Sequence, residues 1–154
     1  MQRREIKMRE PYQVLVILYN NDEKFTTYSF HRKKQDYWQF ISGGKETFDK
    51  DLIDTVIREV REETGLVISG KEIIPLETVT SIPAYWFKDL EKDVLLVTEY
   101  SFAVHINPCS EIVLSDEHDS FIATSYENTV ELLRWDSNKT ALYELHNKLK
   151  RGVM

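Results

Sequence analysis

The chain has 154 residues, 42% of them hydrophobic and 30% charged, with only 5 Gly and 4 Pro. That is enough apolar material for one core of ordinary size, and it excludes a disordered or fibrous chain. A net charge of −6 argues against a partner such as nucleic acid, whose backbone needs a basic face, but not against a small polyphosphate met by a bound metal.

Residues 1–10 are charged and lack the apolar stretch of a signal peptide. The apolar run at residues 14–19 is far too short to span a bilayer. Cys109 is the only cysteine, so no intrachain disulfide forms, and it reads as a small loop residue after Pro108. These features fit a cytoplasmic protein with no membrane partner, whether monomer or homodimer. The whole chain, residues 1–154, reads as one domain, without repeats or linker-like composition.

Residues 12–19 are rich in Val, Leu and Ile and suit a buried strand. A turn at Asn20, Asn21 and Asp22 leads to a partner strand over 25–32 and a short strand over 37–41. Ser42, Gly43 and Gly44 read as a loop in which glycine supplies backbone conformations closed to other residues. A helix follows over 49–64, stopped by Gly65. Strands are expected over 73–80 and 94–106, joined by an aromatic connection with Pro83, Tyr85, Trp86 and Phe87, and a short one over 121–124. Ser125 is placed to cap a helix over 126–133, and Ser137 another running to about residue 150. This order describes an α/β sandwich with helices packed on a mixed sheet.

The 49–64 helix carries the chemistry. Leu52, Ile53, Val56, Ile57 and Val60 form one apolar stripe, and Glu59, Glu62 and Glu63 lie side by side along its edge. Like charges so spaced repel by a few tenths of a kcal/mol per pair. Either Arg58 and Arg61 offset them on a solvated acidic face, or the cluster holds a hard, oxygen-seeking cation such as Mg²⁺.

The context of these residues resembles the signature of the Nudix hydrolases, G-x5-E-x7-R-E-U-x-E-E-x-G-U, where U is bulky and apolar. Gly44, Arg58, Glu59, Val60, Glu62, Glu63, Gly65 and Leu66 fall in register, eight of the nine specified positions. The resemblance implies a Nudix-type α/β/α sandwich with a mixed β-sheet and a Mg²⁺-dependent phosphoanhydride hydrolase, with Mn²⁺ able to substitute. It implies Glu59 and Glu63 as principal metal ligands, and Glu62 as a further ligand or a holder of metal-bound water. The carbonyl of Gly43 or Gly44 completes the shell, and Arg58 orients the glutamates. Lys50 stands where the family has its first Glu, so Asp49 or Asp51 is expected to take over the pairing with Arg58.

Outside the signature, Glu117 and His118 resemble an E-H pair that supplies a ligand or general base in several Nudix branches. Glu99, on a strand among apolar residues, is the other candidate base, and His118 reads as structural or exposed. Tyr37, Trp38, Gln39 and Phe40 resemble a W-Q element shared by the bacterial dihydroneopterin triphosphate (dATP) branch and the dinucleoside tetraphosphate hydrolases. Residues 137–142 resemble a stretch of the pterin branch, and His31, Arg32 and Lys33 sit where that branch has basic residues for the phosphate tail. Arg32, Lys33, Trp38, Gln39 and Lys45 are therefore the expected substrate contacts. Trp38, Tyr85 and Trp86 are either core aromatics or a stacking wall for a purine or pterin ring. The expected partner is a small nucleoside or pterin polyphosphate. Three functions follow from the resemblance: triphosphate pyrophosphohydrolase, dinucleoside polyphosphate hydrolase, and a non-catalytic domain binding nucleotide or protein.

Overall fold

The computed structural model describes residues 9–154; residues 1–8, most of the charged leading stretch, lie outside the described residues. Strand β1 (Arg9–Asn20) is the spine of a seven-stranded sheet. One edge of β1 runs parallel to β6 (Leu96–His105), from Tyr12 opposite Thr98 to Tyr19 opposite His105. The far edge of β6 pairs antiparallel with β5 (Ile73–Pro83).

The other edge of β1 is divided. Its first part pairs with β4 (Ile41–Glu46), and its end pairs with β2 (Thr26–Arg32) at Tyr19 and Asn20. β2 in turn carries β3 (Tyr37–Gln39) and β7 (His118–Thr124). Between β3 and β4 the chain crosses from one branch to the other, so the sheet is forked.

The period-two alternation of β1 divides the core. Val14, Val16 and Leu18 face α1 (Leu52–Thr64), packing on Val56 and Val60. Leu15, Ile17 and Tyr19 face the other way, onto Leu133 and onto Ala141, Leu142 and Leu145 of α3 (Asp136–Arg151). The short α2 (Tyr126–Leu132) lies before α3, its first turn capped by the expected Ser125. The result is the α/β/α sandwich with a mixed sheet. Among the described residues no helix is long and apolar enough to cross a membrane.

Several boundaries differ from the sequence expectation. Helix α1 starts at Leu52 rather than at 49, because Asp51 adopts an extended backbone and caps it by accepting from the Asp54 N–H. Helix α3 begins at Asp136, so Ser137 lies inside its first turn and is not the cap. The expected loop at Ser42, Gly43 and Gly44 is part of β4, paired with Leu15, Val14 and Gln13. These glycines leave room for the Glu59 and Arg9 side chains in their present positions rather than supply unusual backbone angles. A Cβ on Gly43 would lie 2.0 Å from the Glu59 carboxyl carbon, and one on Gly44 2.1 Å from Arg9 Nε.

α3 is fastened to β5 where that strand's register slips between Pro75 and Val79. Glu144 accepts from the Glu77 and Thr78 amides at 2.5 and 2.8 Å and from Lys148 Nζ at 2.8 Å. Burial opposes its ionisation, but these donors hold its pKa down to about 2. A depressed carboxylate stabilises above its unfolded pKa and loses that contribution as pH falls through the folded one. Glu144→Gln should therefore lower the melting temperature at neutral pH, and the gap from wild type should close between about pH 4 and 2 in a melting series.

Candidate active site

A cavity of 720 Å³ opens in the fork of the sheet. Glu59, Glu62 and Glu63 line one end, and the Gly43 backbone of β4 forms the adjoining wall. Glu59 and Glu63 are 8% and 6% exposed, although they are carboxylates, whereas the Glu62 side chain is 54% exposed. Burial pushes the Glu59 pKa up to about 7; Arg58 opposes this, and Glu62 and Glu63 add to it.

Arg58 organises this end. Its Nε and Nη2 bond both Asp49 oxygens, at 3.1 and 2.8 Å; Nη2 also donates to the Gly44 carbonyl at 2.8 Å, and Nη1 to Glu59 at 3.0 Å and Glu62 at 3.4 Å. Asp49 is buried and accepts further bonds from the Glu46 amide and the Thr55 hydroxyl. Burial works to raise its pKa, but Arg58 and these donors outweigh it and hold the group below the ordinary aspartate value.

Asp49 thus carries the pairing with Arg58, Asp51 caps the helix, and Lys50 is exposed with no part in the network beyond its own amide. Lys50→Glu should leave turnover within about twofold of wild type, as surface changes away from such networks have small effects. Asp49→Asn should lower the melting temperature by roughly 6–12 °C. Breaking a buried ion pair costs about 3 kcal/mol, and a chain of this size loses about 2–4 °C per kcal/mol. A larger loss from Lys50→Glu than from Asp49→Asn would reverse these roles.

Glu63 points away from Arg58. It accepts from the Ser115 hydroxyl at 2.7 Å. His118 Nδ1 lies 2.7 Å from the same oxygen but out of line for a hydrogen bond, so neither ring nitrogen has a bonded partner. Burial raises the Glu63 pKa, but His118, Ser115 and the charge of Arg32 bring it below the ordinary value. His118 is 5% exposed, structural rather than exposed, and it touches Glu63 of the signature. Across the opening Glu117, exposed, pairs with Arg32 at 3.5 Å, because β7 lies beside β2 with Arg32 opposite His118.

Among the described residues no three His, Cys, Asp or Glu side chains converge as a metal cage, since Arg58 draws Glu59 and Glu62 while Ser115 and His118 draw Glu63. The donor set nevertheless fits a hard divalent cation. Its members are oxygens, one helical turn apart, and Glu59 is a buried carboxyl whose charge burial disfavours until a cation meets it. The Gly44 carbonyl, an expected ligand, already serves Arg58.

Of the expected substrate contacts, Arg32 and Gln39 line the cavity. Lys33, Trp38 and Lys45 do not. Trp38 packs on His31 with centroids 5.1 Å apart, and the Lys45 ammonium is taken by Glu10 and the Asp49 carbonyl. Of the three aromatics weighed as a wall, only Trp86 lines the cavity, and its partner there is Trp135, 5.6 Å away at 43°. Trp135 and the tie of Glu99 to Gln13 escaped sequence reading because their partners come from distant parts of the chain.

The model of the NUDIX domain family matches residues 9–146, and the chain belongs to the Nudix family. It is a Nudix hydrolase acting on phosphoanhydride bonds, and members of this family generally use divalent metals such as Mg²⁺. A Listeria monocytogenes protein described as a NUDIX hydrolase is 38% identical over 93% of this chain and 97% of its own, with a TM-score of 0.82. The E. coli dihydroneopterin triphosphate pyrophosphohydrolase aligns at 20% identity over 91% of this chain and 99% of its own, TM-score 0.72. A C. elegans Ap4A hydrolase aligns at 14% over 90% and 98%, TM-score 0.66. The last two share the fold. No curated protein matches the sequence significantly.

Proposed function

We propose that this chain hydrolyses a nucleoside (dATP-like) or dihydroneopterin triphosphate to the monophosphate and pyrophosphate, using Mg²⁺, with Mn²⁺ able to substitute. The observation that carries this reading is one cavity whose lining joins carboxylates and an arginine to aromatic rings. Glu59, Glu62, Glu63 and Glu117 line it with Arg32, and so do Trp86 and Trp135, whose rings lie 5.6 Å apart.

Glu59 and Glu63 would hold the cation, and Glu62 would join them or hold its water. Bound there, the cation neutralises phosphate oxygens and lowers the pKa of an attacking water. Arg58 keeps the Glu59 carboxylate against Gly43, and Ser115 with His118 aims Glu63. Arg32 meets the phosphate tail, and Glu117 takes the proton of the attacking water as phosphorus–oxygen cleavage frees pyrophosphate.

The second reading, a dinucleoside polyphosphate hydrolase, draws on Tyr85, which is 81% exposed and lies beside Trp86 as a surface for a second ring. The test is product analysis with dATP, dGTP, dihydroneopterin triphosphate and Ap4A, each with Mg²⁺ and with chelator. Pyrophosphate from the triphosphates, lost in chelator, is the expected result. Preferred cleavage of Ap4A gives the second reading, and full turnover in chelator removes the metal-dependent mechanism.

A further inference from the structure

Among the residues lining the cavity is a carboxylate that takes no part in the proposed hydrolysis. Glu99 on β6 is 3% exposed and stands opposite Gln13 in the β1–β6 register. The Gln13 amide nitrogen donates to Glu99 Oε2 at 2.6 Å. The Gln13 oxygen is engaged by the Arg9 guanidinium, which fixes the orientation of the amide. Glu99 Oε1 is buried without a hydrogen-bond partner, although the residue lines the cavity.

A buried acceptor left unpaired is costly, and most such groups in proteins find a donor. Burial pushes the Glu99 pKa up, opposed by Gln13, by the Ser137 hydroxyl and by the charge of Arg9. Of the polar groups nearby, Asn138 is committed: its side-chain oxygen accepts from the Phe40 amide at 2.9 Å and its amide nitrogen donates to the Ser137 hydroxyl at 3.3 Å. Glu99 lines the cavity together with Ser137, with Thr80 and Ser81 of β5, and with the rings of Trp86 and Trp135.

Resting on the triphosphate reading, which puts the phosphates at the α1 glutamates, we propose that Glu99 reads the ring of the substrate. Its Oε1 accepts N–H from the ring edge and selects rings with a 2-amino-4-oxopyrimidine edge, guanine or pterin, over adenine. That edge offers two adjacent donors, the ring N–H and the exocyclic amine. Adenine offers one amine beside an unprotonated ring nitrogen, whose lone pair meets the carboxylate. Charge-assisted hydrogen bonds are the stronger kind, and a site built for a donor rejects the ligand that leaves it unpaired.

The test is calorimetric binding of GMP, IMP and AMP in chelator, followed by kcat and KM for dGTP and dATP with Mg²⁺. Wild type should bind GMP about tenfold to a hundredfold more tightly than AMP, with IMP, which lacks the 2-amino group, between them. Glu99→Gln keeps an oxygen for the Gln13 amide, so it should fold; it should bring GMP down to the level of AMP and raise KM for dGTP more than it lowers kcat. If that variant does not fold, Glu99→Asp, with its carboxylate drawn back, should show the same loss, and the wild-type ligand series stands alone. Equal affinity of wild type for GMP and AMP would overturn the proposal, as would a Glu99→Gln effect confined to kcat. A GMP preference in a protein that hydrolyses no triphosphate supports ring reading and sinks the pyrophosphohydrolase instead.

Discussion

Glu59→Gln should retain the fold and lose turnover by about 10³-fold, more than the 10–100-fold typical of residues that only support a metal ligand. The amide keeps the shape of the side chain but removes the charge that the cation needs. Glu63→Gln should behave alike, since Ser115 and His118 hold its carboxylate in place for the same task. Gly43→Ala should reproduce the loss without touching a carboxylate. Its methyl would fall 2.0 Å from the Glu59 carboxyl carbon, so the side chain must leave its position against β4. Glu46→Gln is the contrasting change, because its side chain has no bond in the network and its backbone alone meets Asp49. It should stay within about twofold of wild type. The measurements are kcat and a Mg²⁺ titration of each variant, with melting curves to show folding. Equal losses from Glu46→Gln and Glu59→Gln would mean that the glutamates owe their effects to helix stability and not to a cation.

The contrast between Glu46 and Glu59 also shows which parts of the site were legible in the sequence. Glu59, Glu62 and Glu63 were readable because helical periodicity alone fixes their common edge. The substitution at Lys50 left Asp49 and Asp51 as equal candidates, and only the backbone separates them: Asp51 is extended and caps α1, leaving Asp49 to reach Arg58. Gly43 and Gly44 were noticed for the wrong physical reason. Local sequence suggests free backbone angles, whereas the need is for space, set by Glu59 and Arg9 arriving from other elements. Glu99 was readable as a candidate base, but its tie to Gln13 and Arg9 had no local signal. The tie exists because β1 and β6, some eighty residues apart, lie parallel in one register. Lys45 shows the opposite error: proximity to the signature suggested a phosphate contact, but Glu10 takes its charge.

Glu117→Gln should lower kcat by about 10²–10⁴-fold, the range of a lost general base, while KM changes little. β7 begins beside Arg32 of β2, and that pairing holds Glu117 at the edge of the cavity, facing the end where Glu59, Glu62 and Glu63 gather. Its side chain is 60% exposed, and its one ion-pair partner is Arg32 at 3.5 Å, a contact weak enough to yield to a substrate phosphate. Glu99 is the competing base, but its carboxylate is buried and bonded to Gln13. The acid limb of the pH–rate profile, which a carboxylate base creates by being protonated there, should flatten in Glu117→Gln. Asp116→Asn is the control for loss of loop charge. Asp119→Asn is a poorer one, because Asp119 bonds His31 at 2.7 Å and helps to raise its pKa. Arg32→Ala separates binding from proton transfer: it should raise KM while leaving the acid limb in place. Near-normal kcat in Glu117→Gln together with a collapsed kcat in Glu99→Gln would move the base, and with it the proton transfer, to β6.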